Sequence, residues 1–306
     1  MKPGIPQTPP LEWPNNRILF GIMLRLLAMA ALGIMFALVK LANDAGVHVG
    51  ESLFWRQLTG LPVVIVWLWW NNDLTAIKTH RPSLHAIRMT LGLTAMALNF
   101  WAMTLLPMAE ATTLSFATPI FATVLAALLL REQTGRYRWA AVMAGFAGIL
   151  FATRPGGSDI APFGALVGLS GALLTASVSI QLRRMTRSET TGAIVFWFSL
   201  SSLLPLGLIM FFVAKAHSAE AWTYLAGLSF AGACAQILLT AALRHAPVAA
   251  VMTMDYSGLL WSVLLGYFIF ANIPGPGVWV GAPIIICAGI VIAWREHFLA
   301  RKAAKG

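Results

Sequence analysis

Asp255 is the charged residue whose position in this chain most strongly suggests chemistry. It lies seven residues inside an apolar stretch, 248–270, hence ~10 Å below the start of a helix that rises ~1.5 Å per residue. Hydrocarbon disfavours the charged form of a carboxylate unless a cation lies within reach. We therefore predict that Asp255 takes up and releases a proton, and the alternative is a hydrogen bond to a neighbouring hydroxyl.

Two stripes of small and polar residues accompany this carboxylate at helical spacing. Such stripes either line a water-filled cavity or let two helices pack closely. We favour the cavity, because a carboxylate has no use in a dry contact between helices. The later stripe contains Val251, Gly258, Ser262 and Gly266, and the earlier one contains Ala111, Ser115, Thr118 and Ala122.

Arg56 and Glu110 are further charged residues at or near the ends of apolar stretches. An arginine forms paired hydrogen bonds with carbonyl groups or a carboxylate, so Arg56 is predicted to tie helix ends together or to bind a substrate carboxylate. Glu110 is its candidate partner or a second proton-binding group, and alternatively a carboxylate favoured at a helix N-terminus. Lys40 is predicted to extend its long side chain to the membrane interface.

Three uncharged side chains complete the candidate lining: Asn99, Gln236 and Trp261. An amide inside a membrane helix either bonds to a neighbouring helix or contacts a substrate. Trp261 lies near the middle of its stretch, where its ring offers a flat face to an apolar or cationic solute or packs in the core.

Motifs for catalysis, metal binding or nucleotide hydrolysis are missing from the sequence. The six histidines lie in polar loops or at their edges, without an HExxH or GxSxG motif, and there is no P-loop. Cys234 and Cys287 fall within apolar stretches, so we predict buried thiols rather than a disulfide. We therefore expect no enzyme activity, no cofactor and no metal.

Ten apolar stretches occupy most of the chain, each near the ~20 residues that a helix needs to cross ~30 Å of hydrocarbon. Hydrophobic residues make up 58% of the sequence and charged residues 10%, too few to cover a soluble core of this size. The composition therefore predicts an all-α membrane protein. The stretches are 22–41, 52–70, 86–105, 110–130, 138–154, 163–182, 192–213, 222–243, 248–270 and 278–294.

Loops that are rich in lysine and arginine alternate with loops that contain almost none. Of the 21 lysines and arginines, 17, including Arg25 and Arg88, flank one side of the predicted membrane. The positive-inside rule then places both termini and the loops after the even-numbered spans in the cytoplasm. Short basic loops spread over one face suit anionic lipid rather than nucleic acid, despite a net charge of +10.

The chain is an internal duplication with an offset of about 140 residues. Gly92 matches Gly232 and Trp139 matches Trp279 at that offset, and the pair Phe54-Trp55 matches Phe196-Trp197 within two residues. Each repeat holds five spans, and because five is odd the second copy enters the membrane inverted. We predict repeats at 22–154 and 163–294, between a disordered tail over 1–21 and a basic tail over 295–306.

Two segments resemble the EamA family of the drug/metabolite transporter superfamily. They are the fourth apolar stretch and Phe54-Trp55-Arg56 in the second apolar stretch. The similar segment of the fourth stretch runs from Leu106 to Phe121 and closes with Arg131-Glu132, where the second repeat has Asn272 instead of Glu132. The resemblance implies ten helices and a central cavity lined mainly by helices one, three, four, six, eight and nine. It also implies alternating access and a small-molecule substrate.

We therefore predict a secondary active transporter of a small, amino-acid-like metabolite in the inner membrane. Export is the predicted direction, and protons are a candidate coupling ion. One alternative is an importer of an aromatic or nucleoside-like solute such as S-adenosylmethionine or riboflavin, and another is a membrane sensor that transports nothing. Monomer and homodimer both remain open.

Overall fold

The computed structural model describes residues 15–70, 77–79, 81–129, 136–153, 161–185, 188–245 and 253–305. This part of the chain contains eleven α-helices and no β-strand. The helices are α1 (Asn15–Asp44), α2 (Val49–Trp70), α3 (Pro82–Leu105), α4 (Met108–Ser115), α5 (Thr118–Leu129), α6 (Arg136–Thr153), α7 (Pro162–Met185), α8 (Thr191–Val213), α9 (Ala219–His245), α10 (Ser257–Phe270) and α11 (Pro276–Lys305).

All ten predicted spans correspond to helical segments. The first and last helices extend beyond their predicted bounds, because α1 begins at Asn15 inside the predicted tail 1–21 and α11 continues to Lys305. The Arg131-Glu132 pair that closes the fourth span lies outside the described residues.

The fourth predicted span, 110–130, is interrupted in the structure. α4 ends at Ser115 and α5 begins at Thr118, with a two-residue turn between them. Pro119 suits the first turn of a new helix, where its missing N–H needs no acceptor. The Ser115 hydroxyl donates to the Thr112 carbonyl and the Thr118 hydroxyl to the Ser115 carbonyl, both at 2.7 Å. The Thr112 carbonyl also accepts from the Phe116 N–H at 3.3 Å. The Thr118 hydroxyl satisfies the Ser115 carbonyl, which has no helical partner because Pro119 lacks an N–H.

The ninth predicted span, 248–270, has a matching irregularity. A 3₁₀ turn over Thr253–Tyr256 leads into α10, while residues 246–252 lie outside the described part of the chain. Phe116 and Tyr256, which are 140 residues apart in the sequence, contact each other edge to face with ring centroids 5.2 Å apart. The two interrupted spans therefore meet at equivalent positions of the two repeats.

The two five-span units pack against each other reciprocally. α1 packs along α9, and α7, the first helix of the second unit, packs along α3. α2 packs against α8, and α6 packs against α11. The two helices of each pair occupy equivalent positions in the two units. Exchanging the two units reproduces the same pairing, as expected for an inverted repeat.

The outer surface of the bundle suits lipid. Large apolar side chains such as Leu204, Phe211 and Phe268 are 76–87% exposed, and so extensive an apolar surface is unusual in water. Among the residues that the structure describes, five segments are long and apolar enough to cross a membrane by length and composition: Leu19–Asp44, Met108–Leu129, Pro162–Leu182, Gly192–Val213 and Ala219–Leu239.

Two buried histidine–glutamate pairs lie at the two ends of the bundle, called here the N-terminal face, where α1 begins, and the opposite face. At the N-terminal face His85 Nε2 lies 3.4 Å from Glu189 Oε2, and at the opposite face His217 Nε2 lies 2.7 Å from Glu51 Oε2. Glu51 lies on α2 and His85 on α3, whereas Glu189 lies just before α8 and His217 just before α9. The two pairs therefore occupy similar places in the two repeats without matching residue by residue.

Lys40 also joins helices at the opposite face. Its ammonium group donates to the Leu106 carbonyl at 2.9 Å, just beyond the end of α3, and lies 5.5 Å from the centroid of the Phe270 ring. The prediction that this side chain extends to the membrane interface stays a prediction. A cation is well placed here, because carbonyl groups at a helix C-terminus carry partial negative charge.

Candidate functional site

A cavity of about 850 Å³ lies between the two repeats. Ligand pockets commonly occupy roughly 300–1,000 Å³, so the volume suits a small metabolite. The six helices that the resemblance implies contribute to its wall, and α2 and α8 contribute in addition. Most lining residues lie in the middle of their helices or towards the N-terminal face, whereas an apolar core around Val39 and Leu225 fills the opposite end.

Seven of the nine predicted site residues line this cavity, and both repeats contribute to the group. They are Arg56, Asn99, Ser115, Thr118, Gln236, Asp255 and Ser262.

Glu110 and Trp261 lie outside the lining. Glu110 is in the first turn of α4, is 3% exposed and accepts a hydrogen bond from the Gly275 N–H at 3.3 Å. This placement matches the predicted alternative of a carboxylate at a helix N-terminus, and the prediction that Glu110 pairs with Arg56 is wrong. Trp261 packs against α1, because a Cβ atom at Gly33 would lie 3.2 Å from the Trp261 Cβ atom.

Asp255 forms an ion pair with Arg25 at the cavity wall. Arg25 Nε lies 2.6 Å from Oδ1 and Nη2 lies 2.7 Å from Oδ2, so the two groups share a pair of parallel hydrogen bonds. The proton-binding prediction required that no cation lie within reach, and the structure places one there. The Asp255 side chain is 33% exposed, so a solute in the cavity can still reach it. The pair joins α1 of the first repeat to the 3₁₀ turn of the second.

Arg56 reaches the same cavity without a carboxylate partner among the described residues. Its Nη1 donates to Gln57 Oε1 at 3.1 Å and to Met96 Sδ at 3.0 Å, and its Nε donates to Met35 Sδ at 3.4 Å. A thioether is only a weak acceptor, so these contacts leave the positive charge without a counter-charge. Gly232 on α9 packs against the side chain, since a Cβ atom there would lie 3.4 Å from Nε.

Arg88 is a cavity residue that sequence reasoning did not identify as part of the site. Its guanidinium carbon lies 4.2 Å from the centroid of the Phe198 ring. The buried Nε and Nη1 atoms have no hydrogen-bond acceptor in the described part of the chain. A Cβ atom at Gly92 would lie 2.8 Å from the Phe198 ring and would overlap Arg88 Nη1. The absence of a side chain at position 92 therefore makes room for this arginine.

The positions of Arg25 and Arg88 in the sequence carried a signal. Both fall inside predicted spans, 22–41 and 86–105, although both were counted as basic residues of the flanking loops. A charged residue inside a span is a candidate site residue by default.

Hydroxyl and amide groups in the lining link the two repeats. Thr112 Oγ1 and Ser262 Oγ lie 2.6 Å apart, and Asn99 Nδ2 donates to Thr175 Oγ1 at 3.2 Å. Asn99 thus bonds to a neighbouring helix and lines the cavity at once, so its two predicted roles are compatible.

Aromatic and methionine side chains form much of the remaining wall. They are Met29, Met35, Met96, Met103, Phe36, Phe100, Phe116 and Phe198. Flexible thioethers and aromatic rings adapt to apolar groups of varied shape. No three His, Cys, Asp or Glu side chains group as metal ligands within the described ranges. The arrangement can bind a small solute that has an apolar body and a charged end.

A family model described as the EamA-like transporter family matches the chain twice, over residues 19–154 and 162–294. The chain belongs to this family. The two matches cover the two structural repeats, so the predicted membership in the drug/metabolite transporter superfamily is confirmed. The predicted fold, an all-α membrane protein with two repeats, is confirmed as well.

Relatives of this EamA-like chain are transporters with different solutes. A riboflavin transporter of Rhizobium johnstonii is 33% identical over 237 residues, which are 76% of this chain and 76% of the relative. The pseudopaline exporter CntI of Pseudomonas aeruginosa is 26% identical over 275 residues, 89% of this chain and 95% of the exporter. A crystal structure of a protein that is 20% identical shares the fold with a TM-score of 0.59, covering 93% of this chain and 99% of that one. The EamA-like chain is therefore a small-molecule transporter of a membrane.

Proposed function

We propose that this EamA-like protein is a secondary active exporter of a small, amino-acid-like metabolite. The observation that carries the proposal is the composition of the cavity wall. Three arginines and one aspartate lie among aromatic and methionine side chains between the repeats. Groups of both charge signs with apolar surroundings suit a solute that has a carboxylate, an amino group and an apolar body.

Individual roles follow from the contacts of each residue. Arg56 would bind the carboxylate of the solute, and Asp255 would attract its amino group. Hydrogen bonds to the solute would come from the polar groups that line the wall, namely Asn99, Ser115, Thr118, Gln236 and Ser262. Glu110 and Trp261 would support the site from outside, because they hold α4 and α1 in place.

Protons are the proposed coupling ion. Asp255 is the first candidate because it lines the cavity, and its ion pair with Arg25 has to open before a proton can bind. Glu110 is the second candidate. Opening and closing of the Arg25–Asp255 pair would link proton binding to movement between the repeats, because the pair bridges them.

The proposed direction rests on the proposed orientation. If both termini are cytoplasmic, as the distribution of basic residues predicts, the N-terminal face is the cytoplasmic one. The cavity extends towards that face, so a solute can be loaded from the cytoplasm while the core at the opposite face stays packed. Membrane vesicles of the inner membrane are then the natural place to measure export.

The proposal is tested by an untargeted uptake and efflux screen that compares vesicles with and without the protein. We expect protein-dependent movement of an amino-acid-like solute out of the compartment that corresponds to the cytoplasm. Uptake of an aromatic or nucleoside-like solute would instead support the importer, a candidate favoured by the similarity to a riboflavin transporter. No protein-dependent movement in either direction would support the sensor.

A further inference from the structure

Two arginine side chains approach successive turns of α3 inside the cavity. Arg56 comes from α2 and its Nη1 lies 3.0 Å from the sulfur of Met96. Arg88 comes from α3 itself and its guanidinium group lies over Gly92, one turn before Met96. One helical turn rises ~5.4 Å, so the positions on α3 that the two cationic groups contact lie about a turn apart along one wall.

No protein carboxylate neutralises these two groups within the residues that the structure describes. Asp255, the carboxylate that lines the cavity, already accepts hydrogen bonds from Nε and Nη2 of Arg25. Arg56 donates to two thioethers and an amide, and Arg88 Nε and Nη1 donate to no acceptor in the described ranges. Buried N–H groups without acceptors are costly, and two like charges in an apolar cavity repel each other. An anion supplied from solution would remove both costs.

The space around each arginine is kept clear by a glycine. Gly92 and Gly232 occupy the same position in the two repeats. A side chain at Gly92 would overlap Arg88 Nη1, and one at Gly232 would contact Arg56. Phe198 also holds the Arg88 guanidinium group through a cation–π contact, with 4.2 Å between the guanidinium carbon and the ring centroid. The two guanidinium groups are therefore positioned by packing rather than by protein anions.

We propose that Arg56 and Arg88 form a site for two carboxylate groups, so that the transported solute carries a dicarboxylate end. Each guanidinium group would bind one carboxylate through paired hydrogen bonds, a geometry that guanidinium groups favour. The inference rests on the proposed function and narrows its substrate class from amino-acid-like solutes to those with two acidic groups.

The first test measures binding without transport. The full-length protein is purified in detergent, and its melting temperature is followed against concentration of succinate, glutarate, butyrate, succinamide and inorganic phosphate at constant ionic strength. A ligand that binds only the native state raises the melting temperature in a saturable manner. We expect succinate or glutarate to half-saturate at a concentration about tenfold or more below butyrate, because two bidentate pairs form instead of one. Equal potency of butyrate, or stronger binding of phosphate or succinamide, would overturn the proposal.

The second test assigns the effect to the two arginines. R56Q and R88Q should each weaken dicarboxylate binding about tenfold or more by removing one bidentate pair. R81Q is the matched control, because Arg81 is an exposed arginine just before α3 and its loss should leave binding unchanged. R88K keeps the positive charge but loses the paired N–H donors of the guanidinium group. G92A keeps both arginines but displaces the Arg88 guanidinium group. If R56Q or R88Q does not fold, undiminished binding in R88K and G92A overturns the proposal.

Failure of this inference is distinguishable from failure of the proposed function. Transport of a solute without two acidic groups, unaffected by G92A, would contradict the dicarboxylate site and leave the exporter intact. Saturable binding of succinate that depends on both arginines, with no protein-dependent movement of any solute in vesicles, would support the site and contradict the exporter.

Discussion

The hydroxyl groups of Thr112 and Ser262 lie 2.6 Å apart, which joins the interrupted fourth span directly to its counterpart, the ninth. The contact crosses the boundary between the repeats at the edge of the cavity. Both groups are buried, with at most 7% of either residue exposed. If the repeats move relative to each other during transport, this contact has to open and close.

Cross-linking Thr112 to Ser262 should stop transport reversibly. A disulfide fits where two side-chain oxygens are already in contact, because its two β-carbons lie ~3.8 Å apart. We expect the variant T112C/S262C, with Cys234 and Cys287 replaced by alanine, to lose at least about nine-tenths of its transport rate on oxidation and to regain it with a reductant.

The two single-cysteine variants are the controls for this experiment and should respond to oxidant no more than the parent protein. Undiminished transport by a fully cross-linked protein would show that the two spans do not separate.

The ten spans and the duplication were predictable because they depend on composition averaged over many residues. A stretch of about 20 apolar residues has few alternatives to a membrane helix, and repeats of five spans have to be inverted. The predicted bounds of the fourth span run through its interruption, since an apolar average is insensitive to a two-residue turn. Pro119 was the local sign of a new helix beginning there.

The charged half of the site was predicted less well than its hydroxyl and amide groups. Arg25 and Arg88 lie within the first turns of predicted spans, where a long basic side chain commonly extends to the interface. Only the packing of helices decides whether such a side chain points to lipid or to a cavity. The pairing of Arg25 with Asp255 joins residues 230 positions apart, and no spacing rule in one sequence relates them.

Breaking the Arg25–Asp255 pair should impair transport in a way that a charge exchange partly repairs. R25Q and D255N each leave one charge of a bidentate pair without its partner, so we expect the initial transport rate to fall about tenfold or more. R25D/D255R restores an ion pair in reversed order and should recover part of the rate. Rates are measured in vesicles across a range of external pH.

A different result would give Asp255 a different role. D255N with the rate and pH profile of the parent protein would mean that the pair has no part in coupling. Loss of the rate in D255N that R25D/D255R does not repair would favour a role for the carboxylate in proton binding itself.

Replacing Gly281 by alanine should destabilise the packing of α11 against α6. A Cβ atom at position 281 would lie 2.5 Å from the Gly148 carbonyl oxygen and 2.6 Å from the Ala152 backbone nitrogen. Backbone atoms cannot move aside as a side chain does, so we expect a loss of about 1–3 kcal/mol in the free energy of unfolding. Denaturation in mixed micelles measures this free energy of unfolding.

The matched control for this variant is G60A. Beyond its chain neighbours and the backbone of its own helix, no heavy atom of the described residues lies within 4 Å of a Cβ atom at Gly60. Alanine favours a helix interior over glycine by up to ~1 kcal/mol. G60A should therefore be at least as stable as the parent protein. Equal stability of G281A and G60A would mean that α6 and α11 are more loosely packed than described.

The Glu51–His217 pair should stabilise the opposite face. Both side chains are at most 4% exposed, so removal of one partner leaves a buried polar group without its hydrogen bond. E51Q or H217Q should cost about 1–3 kcal/mol in the free energy of unfolding, because a buried polar group loses its hydrogen-bond partner. The double variant should cost less than the two single changes added together.

Additive effects of the two changes would contradict this pairing. Lys215 is an exposed residue near the same turn, and K215Q serves as the control for loss of a polar side chain at this end of the bundle. Its stability should match that of the parent protein.

Labelling of a cysteine at Ser115 tests most directly that solutes pass through the cavity between the repeats. The variant S115C, without Cys234 and Cys287, is prepared in sealed vesicles of both orientations and treated with a membrane-impermeant thiol reagent. S188C, in the exposed turn before α8, is the control and should react from one side without loss of transport. We expect S115C to react from both sides, to lose transport on labelling and to be protected by the transported solute. Labelling of S115C that leaves transport unchanged, or that occurs from one side only while the solute still crosses the membrane, would contradict a pathway through this cavity.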